Sequence, residues 1–234
     1  LNQFNQVKQQ IALGNTYLTN LTIKTKINTT LDLLEIFNFS NAKYKLWVKD
    51  KFVSFSPECF IEINDHQIST YPMKGTHKLL ADESPEILLS NPKENAEHLT
   101  IVDLLRNDLS MVANKVKVNH FKYLDQLKTN HGIIVQMSSK ISGELKEKYY
   151  NRYGTLLDVI LPAGSISGAP KDKTLEIIHE SEDYDRGFYT GIFGTFCNGN
   201  LDSGILIRYI EEDNQEFFFK SGGGITFNSD PILE

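Results

Sequence analysis

The feature that most restricts the fold is a series of β-type runs joined by turns too short for anything but a reversal of direction. In "FIEINDHQISTY" the runs "FIEI" and "QISTY" flank the polar turn "NDHQ". Such a connection joins antiparallel neighbours, because a parallel pair needs a crossover of about a dozen residues or more. "YKLWVKDKFVSFS" (44–56) reads the same way, as paired strands. "SGILIRYI" (203–210) and "EFFFKSGGG" (216–224) are strands joined by the turn around "EEDNQ". Alternation and β-branched residues in "NTYLTNLTIKTKI" (15–27) predict another strand, as do "IIVQMSSKISG" (133–143) and "GIFGTF" (191–196).

Helical patterns are fewer. Residues 1–13 read as the end of a helix, and "LDLLEIFNF" (31–39) and "PKDKTLEIIHE" (170–180) as two more. From Pro92 to about Leu109 the pattern is helical, with proline near the start, acids in the first turn and apolar residues following. The class is therefore α+β. No internal repeat or low-complexity linker marks a boundary, so residues 1–234 are expected to form one domain with a substantial core.

Charge and cysteine usage narrow the function. A formal net charge of −6 without any basic tract speaks against a nucleic-acid surface. No apolar run approaches the ~20 residues that a membrane helix needs. Cys59 and Cys197 stand far apart and in no metal-ligand spacing, so they are expected to be reduced and structural, which points to a cytoplasmic protein. The chain begins at Leu1 and stops at "SDPILE", and is expected to be a fragment of a longer gene product.

If Ile63 pairs with Ile68 across the hairpin turn, Ile61 faces Thr70, Cys59 faces Pro72, and Glu58 and Lys74 emerge at the same open end. That pair is either a plain salt bridge or a general acid beside a nucleophilic amine. On the helix of "KENAEHLTIVDLLRND", Glu97, Ile101, Leu104 and Leu105 lie along one side, with Glu94 a turn earlier. A carboxylate at the edge of a core needs a partner, and a hard cation is one candidate beside simple exposure. His98 completes no zinc motif, since no second histidine follows at the required spacing. The loop "LPAGSISGAPK" (161–171) runs into a helix and offers amides to an anion, without Walker spacing. "SGGG" (221–224) is expected to be a second loop of bare amides that approaches a ligand closely. Arg208, within an otherwise apolar strand, needs a carboxylate: either an internal partner or a ligand. Together these point to a small multi-carboxylate substrate with a divalent metal on one of its carboxylates.

The ordered motifs "SPECFIE", "PMKGT", "AEHLTIVDLLRNDL", "LPAGSISGAPK", "RGFYTGIFG", "SGILIR" and "GGGITFNSDPILE" resemble the chorismate-utilising enzyme family, over nearly the whole chain. The resemblance implies an anthranilate synthase component I-like fold, antiparallel β-sheets flanked by helices, with Mg2+ and chorismate between them. By motif, Glu97 resembles the direct magnesium ligand, with Glu94 and Glu234 lining the metal site. Tyr189 and Arg208 resemble the pair that grips the enolpyruvyl carboxylate, helped by amides of Gly222 and Gly224. Gly164, Ser165 and Thr76 match substrate-pocket positions.

Lys74 discriminates within the family. Anthranilate synthases have alanine there, whereas the aminodeoxychorismate synthase branch carries a lysine that attacks carbon 2 of chorismate as the 4-hydroxyl leaves. Glu58 is similar to the residue that protonates that hydroxyl. Leu18 stands where isochorismate and salicylate synthases have a water-activating lysine, and Gln136 where other members have a histidine. The resemblance thus implies amination of chorismate at carbon 4 for p-aminobenzoate and folate synthesis, with ammonia from a glutamine amidotransferase subunit. Anthranilate synthesis and a non-catalytic chorismate-binding subunit are the alternatives. Family members have further segments at both ends and another metal-site glutamate about three residues past Glu234.

Overall fold

The structure, a computed structural model, describes residues 1–80, 83–129 and 132–232. In chain order the elements are α1 (Asn2–Ala12), β1 (Leu18–Ile27), α2 (Leu33–Phe39), β2 (Tyr44–Val48), β3 (Phe52–Ser56), β4 (Cys59–Asn64), β5 (Gln67–Thr70) and β6 (Met73–Lys78). Then come α3 (Pro92–Val112), the long strands β7 (Ala113–Thr129) and β8 (Gly132–Leu145), and α4 (Tyr153–Ile160). The single turn α5 (Gly164–Ser167), β9 (Gly168–Ala169) and α6 (Lys171–Ser181) follow. Strands β10 (Ile192–Cys197), β11 (Asn200–Ile205), β12 (Tyr209–Asp213) and β13 (Glu216–Ile225) complete the order. The α+β class of antiparallel sheets with helices is as expected. The chain forms two compact units: Leu1–Cys59, Pro162–Gly194 and Ser203–Glu234 make the first, and Phe60–Leu161 with Thr195–Asp202 the second.

The first unit carries a six-stranded sheet in the order β2-β3-β12-β13-β1-β9. Val7 and Ile11 of α1, Ile177 of α6 and Ile225 of β13 pack as one cluster, while Phe52, Tyr189, Leu206 and Tyr209 form another. Helix α2 starts at a capping box: Asp32 accepts the Glu35 N–H at 2.8 Å and Glu35 accepts the Asp32 N–H at 2.9 Å, satisfying two orphan donors. Two readings of the sequence are corrected here. "SGILIRYI" is not one strand, because it leaves β11 at Ile205 and resumes as β12 at Tyr209. "SGGG" is not a loop but the second half of β13, paired with β1 through Gly222↔Thr22 and Gly224↔Asn20. Strand β12 pairs β13 only as far as Tyr209↔Lys220. From Ser221 onward the edge of β13 away from β1 has no strand partner among the described residues.

The second unit is built on a seven-stranded sheet. Its β4–β5 hairpin has the anticipated register, with Ile63 opposite Ile68. Strands β5 and β6 run end to end along one edge of β8. Thr70↔Ile141 and Met73↔Ser138 share one register, and the Ser139 N–H donates to the Pro72 carbonyl at 3.0 Å between them. Strand β7 occupies the other edge of β8.

Helix α3 packs on β6, β7 and β8. Asn91 caps it by accepting the Lys93 and Glu94 N–H groups at 3.0 and 3.3 Å, and Pro92 opens it where a missing N–H costs nothing. His98, Ile101, Val102, Leu105, Leu109 and Val112 form its buried stripe. Among the described residues no helix is long and apolar enough to cross a membrane. Cys59 is buried, but Cys197 is exposed and so is not a core residue.

Candidate active site

Lys74 lies in strand β6 rather than in an open turn. The β6–β8 register passes from Lys74↔Met137 to Thr76↔Gln136, so Gly75 is an extra residue, a β-bulge. Antiparallel partners share a face of the sheet. Lys74 therefore goes with Met137, whereas Thr76, exposed, goes with Gln136 on the opposite face. Without the bulge the two would point the same way. Glycine is required at its centre: φ is +82°, and a Cβ there would lie 2.9 Å from Glu94 Oε2. Glu94 is thereby brought against the Lys74–Thr76 segment.

Lys74 Nζ lies 3.4 Å from Glu97 Oε2. The other oxygen, Oε1, is 3.9 Å from Lys93 Nζ, too long for a hydrogen bond. Oε1 is buried and has no hydrogen-bond partner among the described residues, on a side chain only 12% exposed. Half of this carboxylate is thus compensated and half is not, a condition that a hard cation relieves. Two carboxylates one helical turn apart, one with an orphaned oxygen, fit such an ion. Glu234 lies outside the described residues. Among the described residues, no group of three or more His, Cys, Asp or Glu side chains forms a metal-binding arrangement.

Glu58 belongs to the first unit. Its N–H donates to Ser56 Oγ at 3.1 Å and its carbonyl accepts the Ile205 N–H at 3.1 Å, which places it beside the strand that leads to Arg208.

Arg208 does not sit on an inward strand face. It is exposed at the corner between β11 and β12, with φ of +53°, a left-handed conformation unusual for a side chain of this size. No carboxylate pairs with its guanidinium among the described residues. Since Tyr209 is opposite Lys220, Arg208 stands where the open edge of β13 begins, the edge that carries Gly222 and Gly224. Tyr189 reaches the same corner. The Thr190 N–H donates to the Leu206 carbonyl at 2.9 Å, and the Leu206 N–H to the Gly191 carbonyl at 2.8 Å. The Tyr189 ring is buried beside Tyr209 at 5.6 Å. Burial, with Tyr184 beside it, drives its phenol far above the ordinary range, and the charge of Arg208 acts the other way. Tyr189, Arg208 and the glycine run are therefore brought together.

The glycines themselves need a different reason from the one expected. A Cβ on Gly222 would lie 2.7 Å from Thr22 Cγ2 and 2.8 Å from the Leu21 carbonyl, so the close approach there is to β1. Gly224 is buried opposite Asn20. The loop at 161–171 is likewise more closed than its composition suggests. Ile166 and Ser167 both donate to the Ala163 carbonyl at 3.2 Å, and Gly168 donates to Gly164. Gly164 and Ser165 open this turn, and their amides have no acceptor among the described residues.

Two residues escaped sequence reasoning. Arg186 bonds Glu182 through Nε at 2.8 Å and Nη2 at 2.6 Å, and the i, i+4 spacing of the two was the available signal. His98 lies in the periodic stripe of α3, fully buried, with Nε2 2.7 Å from Ser139 Oγ. Burial, helped by the Lys122 charge, lowers its pKa to about 4. Leu18 is a buried aliphatic residue in β1, and Gln136 lies across β8 between Thr76 and Asp125.

Comparison with known proteins identifies the family. The model of the chorismate binding enzyme family matches residues 1–234. A protein of Haemophilus influenzae described as an uncharacterized PabA-like protein is 52% identical over 226 residues, covering 97% of this chain and 69% of its own. Aminodeoxychorismate synthase component 1 of Bacillus subtilis is 32% identical, and this chain spans 51% of it. Anthranilate synthase component 1 of Aquifex aeolicus is 34% identical, with 42% of its length covered. The crystal structure of anthranilate synthase component I from Streptococcus pneumoniae superimposes with a TM-score of 0.81 at 26% identity, over 97% of this chain and 52% of that one. The chain belongs to the chorismate-binding enzyme family.

Proposed function

We propose that this chain is the chorismate-binding catalytic part of an aminodeoxychorismate synthase, which converts chorismate and ammonia to 4-amino-4-deoxychorismate. The observation that carries the reading is Lys74, set by the Gly75 bulge on the face of β6 that meets Glu97, 3.4 Å away. A family member that eliminates pyruvate has no need of an amine there. Lys74 acts as nucleophile: its neutral amine forms a bond to carbon 2, both ring double bonds shift by one position, and the bond from carbon 4 to its hydroxyl breaks. Glu58 supplies the proton with which that hydroxyl departs as water. Ammonia then bonds to carbon 4, the double bonds shift back as the Lys74 amine leaves carbon 2, and the new carbon 4 ammonium returns a proton to Glu58, restoring the enzyme.

Arg208 and Tyr189 hold a substrate carboxylate, with Gly222, Gly224, Gly164 and Ser165 lining the substrate, whereas Thr76 faces away from Lys74 and is not part of that lining. Glu97 and Glu94 hold Mg2+, together with Glu234, and the ion neutralises substrate carboxylate charge when bound. Ammonia comes from a glutamine amidotransferase subunit, and the setting is the cytoplasmic synthesis of p-aminobenzoate for folate.

The deciding experiment incubates the full-length protein with chorismate, Mg2+ and ammonium and identifies the product. Without ammonium, a covalent adduct of chorismate minus water should map to the peptide containing Lys74 and vanish in Lys74→Ala. Normal single-turnover product formation with no adduct would refute the nucleophilic role. A second reading, anthranilate synthesis, is supported by the 34% identity to the Aquifex aeolicus enzyme. Anthranilate and pyruvate as products would establish it.

A further inference from the structure

Two cationic side chains beside Tyr189 are consumed internally, unlike Arg208. Arg186 uses its whole set of five N–H donors. Nε and Nη2 bond the Glu182 carboxylate, Nη2 also donates to the Asn20 carbonyl at 2.6 Å, and Nη1 donates to the Ile166 carbonyl at 3.0 Å and Thr190 Oγ1 at 3.5 Å. Glu182, 2% exposed, further accepts the Thr22 N–H at 2.8 Å and the Thr22 hydroxyl at 2.9 Å. This ion pair ties β1 and α5 to the turn at 185–190.

The other cation is Lys220, with a side chain 2% exposed in β13. Its ammonium lies 2.8 Å from Glu211 Oε2 and over the rings of Tyr184 and Tyr209. It also donates to the Arg186 carbonyl at 3.0 Å and to the Asp185 carbonyl at 3.4 Å. That same Arg186 carbonyl accepts the Tyr189 N–H at 3.0 Å. A single carbonyl thus joins the buried ammonium to the backbone of Tyr189.

Stability alone does not account for a buried lysine here. An ammonium withdrawn from water is costly, and an apolar side chain of similar volume serves a core at least as well. Lys24, directly opposite Lys220 on β1, already gives Glu211 a counter-ion at 3.1 Å. What Lys220 adds is a hold on a turn that includes two left-handed residues, Gly187 (φ +58°) and Thr190 (φ +64°), the second of them disfavoured for a β-branched side chain.

We infer that Lys220 is a positioning residue: with Glu211 as counter-ion it fixes the Asp185–Thr190 turn so that Tyr189 is presented beside Arg208. The inference rests on the reading above that Tyr189 and Arg208 bind a substrate carboxylate.

The test measures, in full-length protein, the chorismate dissociation constant by intrinsic fluorescence and the thermal midpoint. The variants are Lys220→Met and the neutral pair Lys220→Met/Glu211→Gln, with Tyr189→Phe and Arg208→Lys as references. The single variant should lose both stability and affinity. The neutral pair should recover much of the midpoint yet still bind chorismate about tenfold more weakly, the worth of one anchoring hydrogen bond. A neutral pair that regains affinity along with stability shows that Lys220 is only structural and overturns the inference. So does unaltered affinity in both Lys220 variants beside weakened references. Unaltered affinity in the two references overturns the carboxylate-binding reading itself, and the inference with it.

Discussion

Removing the Lys74 ammonium isolates what Glu97 requires. Two unit charges 3.4 Å apart attract by about 5 kcal/mol at an effective dielectric of about 20. The side chains are 30% and 12% exposed, so part of the attraction is screened by water and part is offset by desolvation. A net coupling of ~1–2 kcal/mol remains, above the range of exposed pairs and below that of fully buried ones. Lys74→Met keeps an unbranched stem and deletes the charge. Glu97 Oε2 then joins Oε1 as an oxygen without a donor, and urea unfolding should show a loss of ~1–3 kcal/mol. A double-mutant cycle with Glu97→Gln should return the ~1–2 kcal/mol coupling. The same variant reports on the metal. With no ammonium to compete, Mg2+ should stabilise Lys74→Met more than the parent, by up to about 2.7 kcal/mol at a hundred times its dissociation constant. A coupling below ~0.3 kcal/mol would show that the pair is merely adjacent. A Mg2+ response no larger in Lys74→Met than in the parent would show that the two cations do not share Glu97.

Gly75→Ala should cost ~1–2 kcal/mol from its left-handed backbone, and more from the Glu94 contact, measured as a drop in the urea midpoint; an unchanged midpoint refutes the bulge argument. Arg208→Lys, which keeps the charge but loses the fork, should weaken chorismate binding by at least ~1.5 kcal/mol with little change in stability, because the side chain is exposed. His98 has a folded pKa of about 4 against an unfolded value near 6.5, so the unfolded chain takes up the proton first. Stability is therefore full above pH 6.5 and falls as the pH drops toward 4, by about 3 kcal/mol at most. His98→Gln should flatten that slope, and equal slopes in parent and variant would rule His98 out as its source.

Most strands and helices were legible because each carries its own local signal, whereas β6, β7 and α4 were not assigned from the sequence. The Pro92 start of α3 and the Ile63↔Ile68 register follow from a few adjacent residues. What sequence pattern missed is decided by partners distant along the chain. "SGILIRYI" reads as one strand because all its residues suit a strand, yet β12 pairs β3 and β13 while β11 lies in the other sheet. The corner this requires falls on Arg208, which is why its backbone is left-handed. "SGGG" reads as a flexible loop because glycine has no side chain to declare a face, and only the nearness of Thr22 explains Gly222. The bulge at Gly75 was equally hidden, since a one-residue insertion leaves composition and turn chemistry unchanged while it swaps faces. Of the carboxylates proposed to hold a metal, the apolar stripe of α3 marked Glu97, but its orphaned oxygen is a property of packing alone.

The candidate residues fall into groups of opposite chemical character, and this bears on how Lys74 is to be understood. The group on the first sheet is built from groups that attract anions: the Arg208 guanidinium without a carboxylate among the described residues, and the open backbone edge that starts at Ser221. Its neighbouring cations, Arg186 and Lys220, are already neutralised by Glu182 and Glu211, so their charge is not offered to a ligand. The group on the second sheet is instead rich in acid, with Glu97 against the Lys74 amine and Glu94 against the Gly75 backbone. A lysine whose purpose was to attract a carboxylate substrate would be poorly served there, since Glu97 already satisfies it. A lysine whose purpose was only to neutralise Glu97 would not need a bulged strand with a left-handed glycine to aim it, because Lys93 already lies 3.9 Å from the same carboxylate. The arrangement is accounted for when the position of the amine matters more than its charge. That is the condition that the nucleophilic role proposed for Lys74 sets.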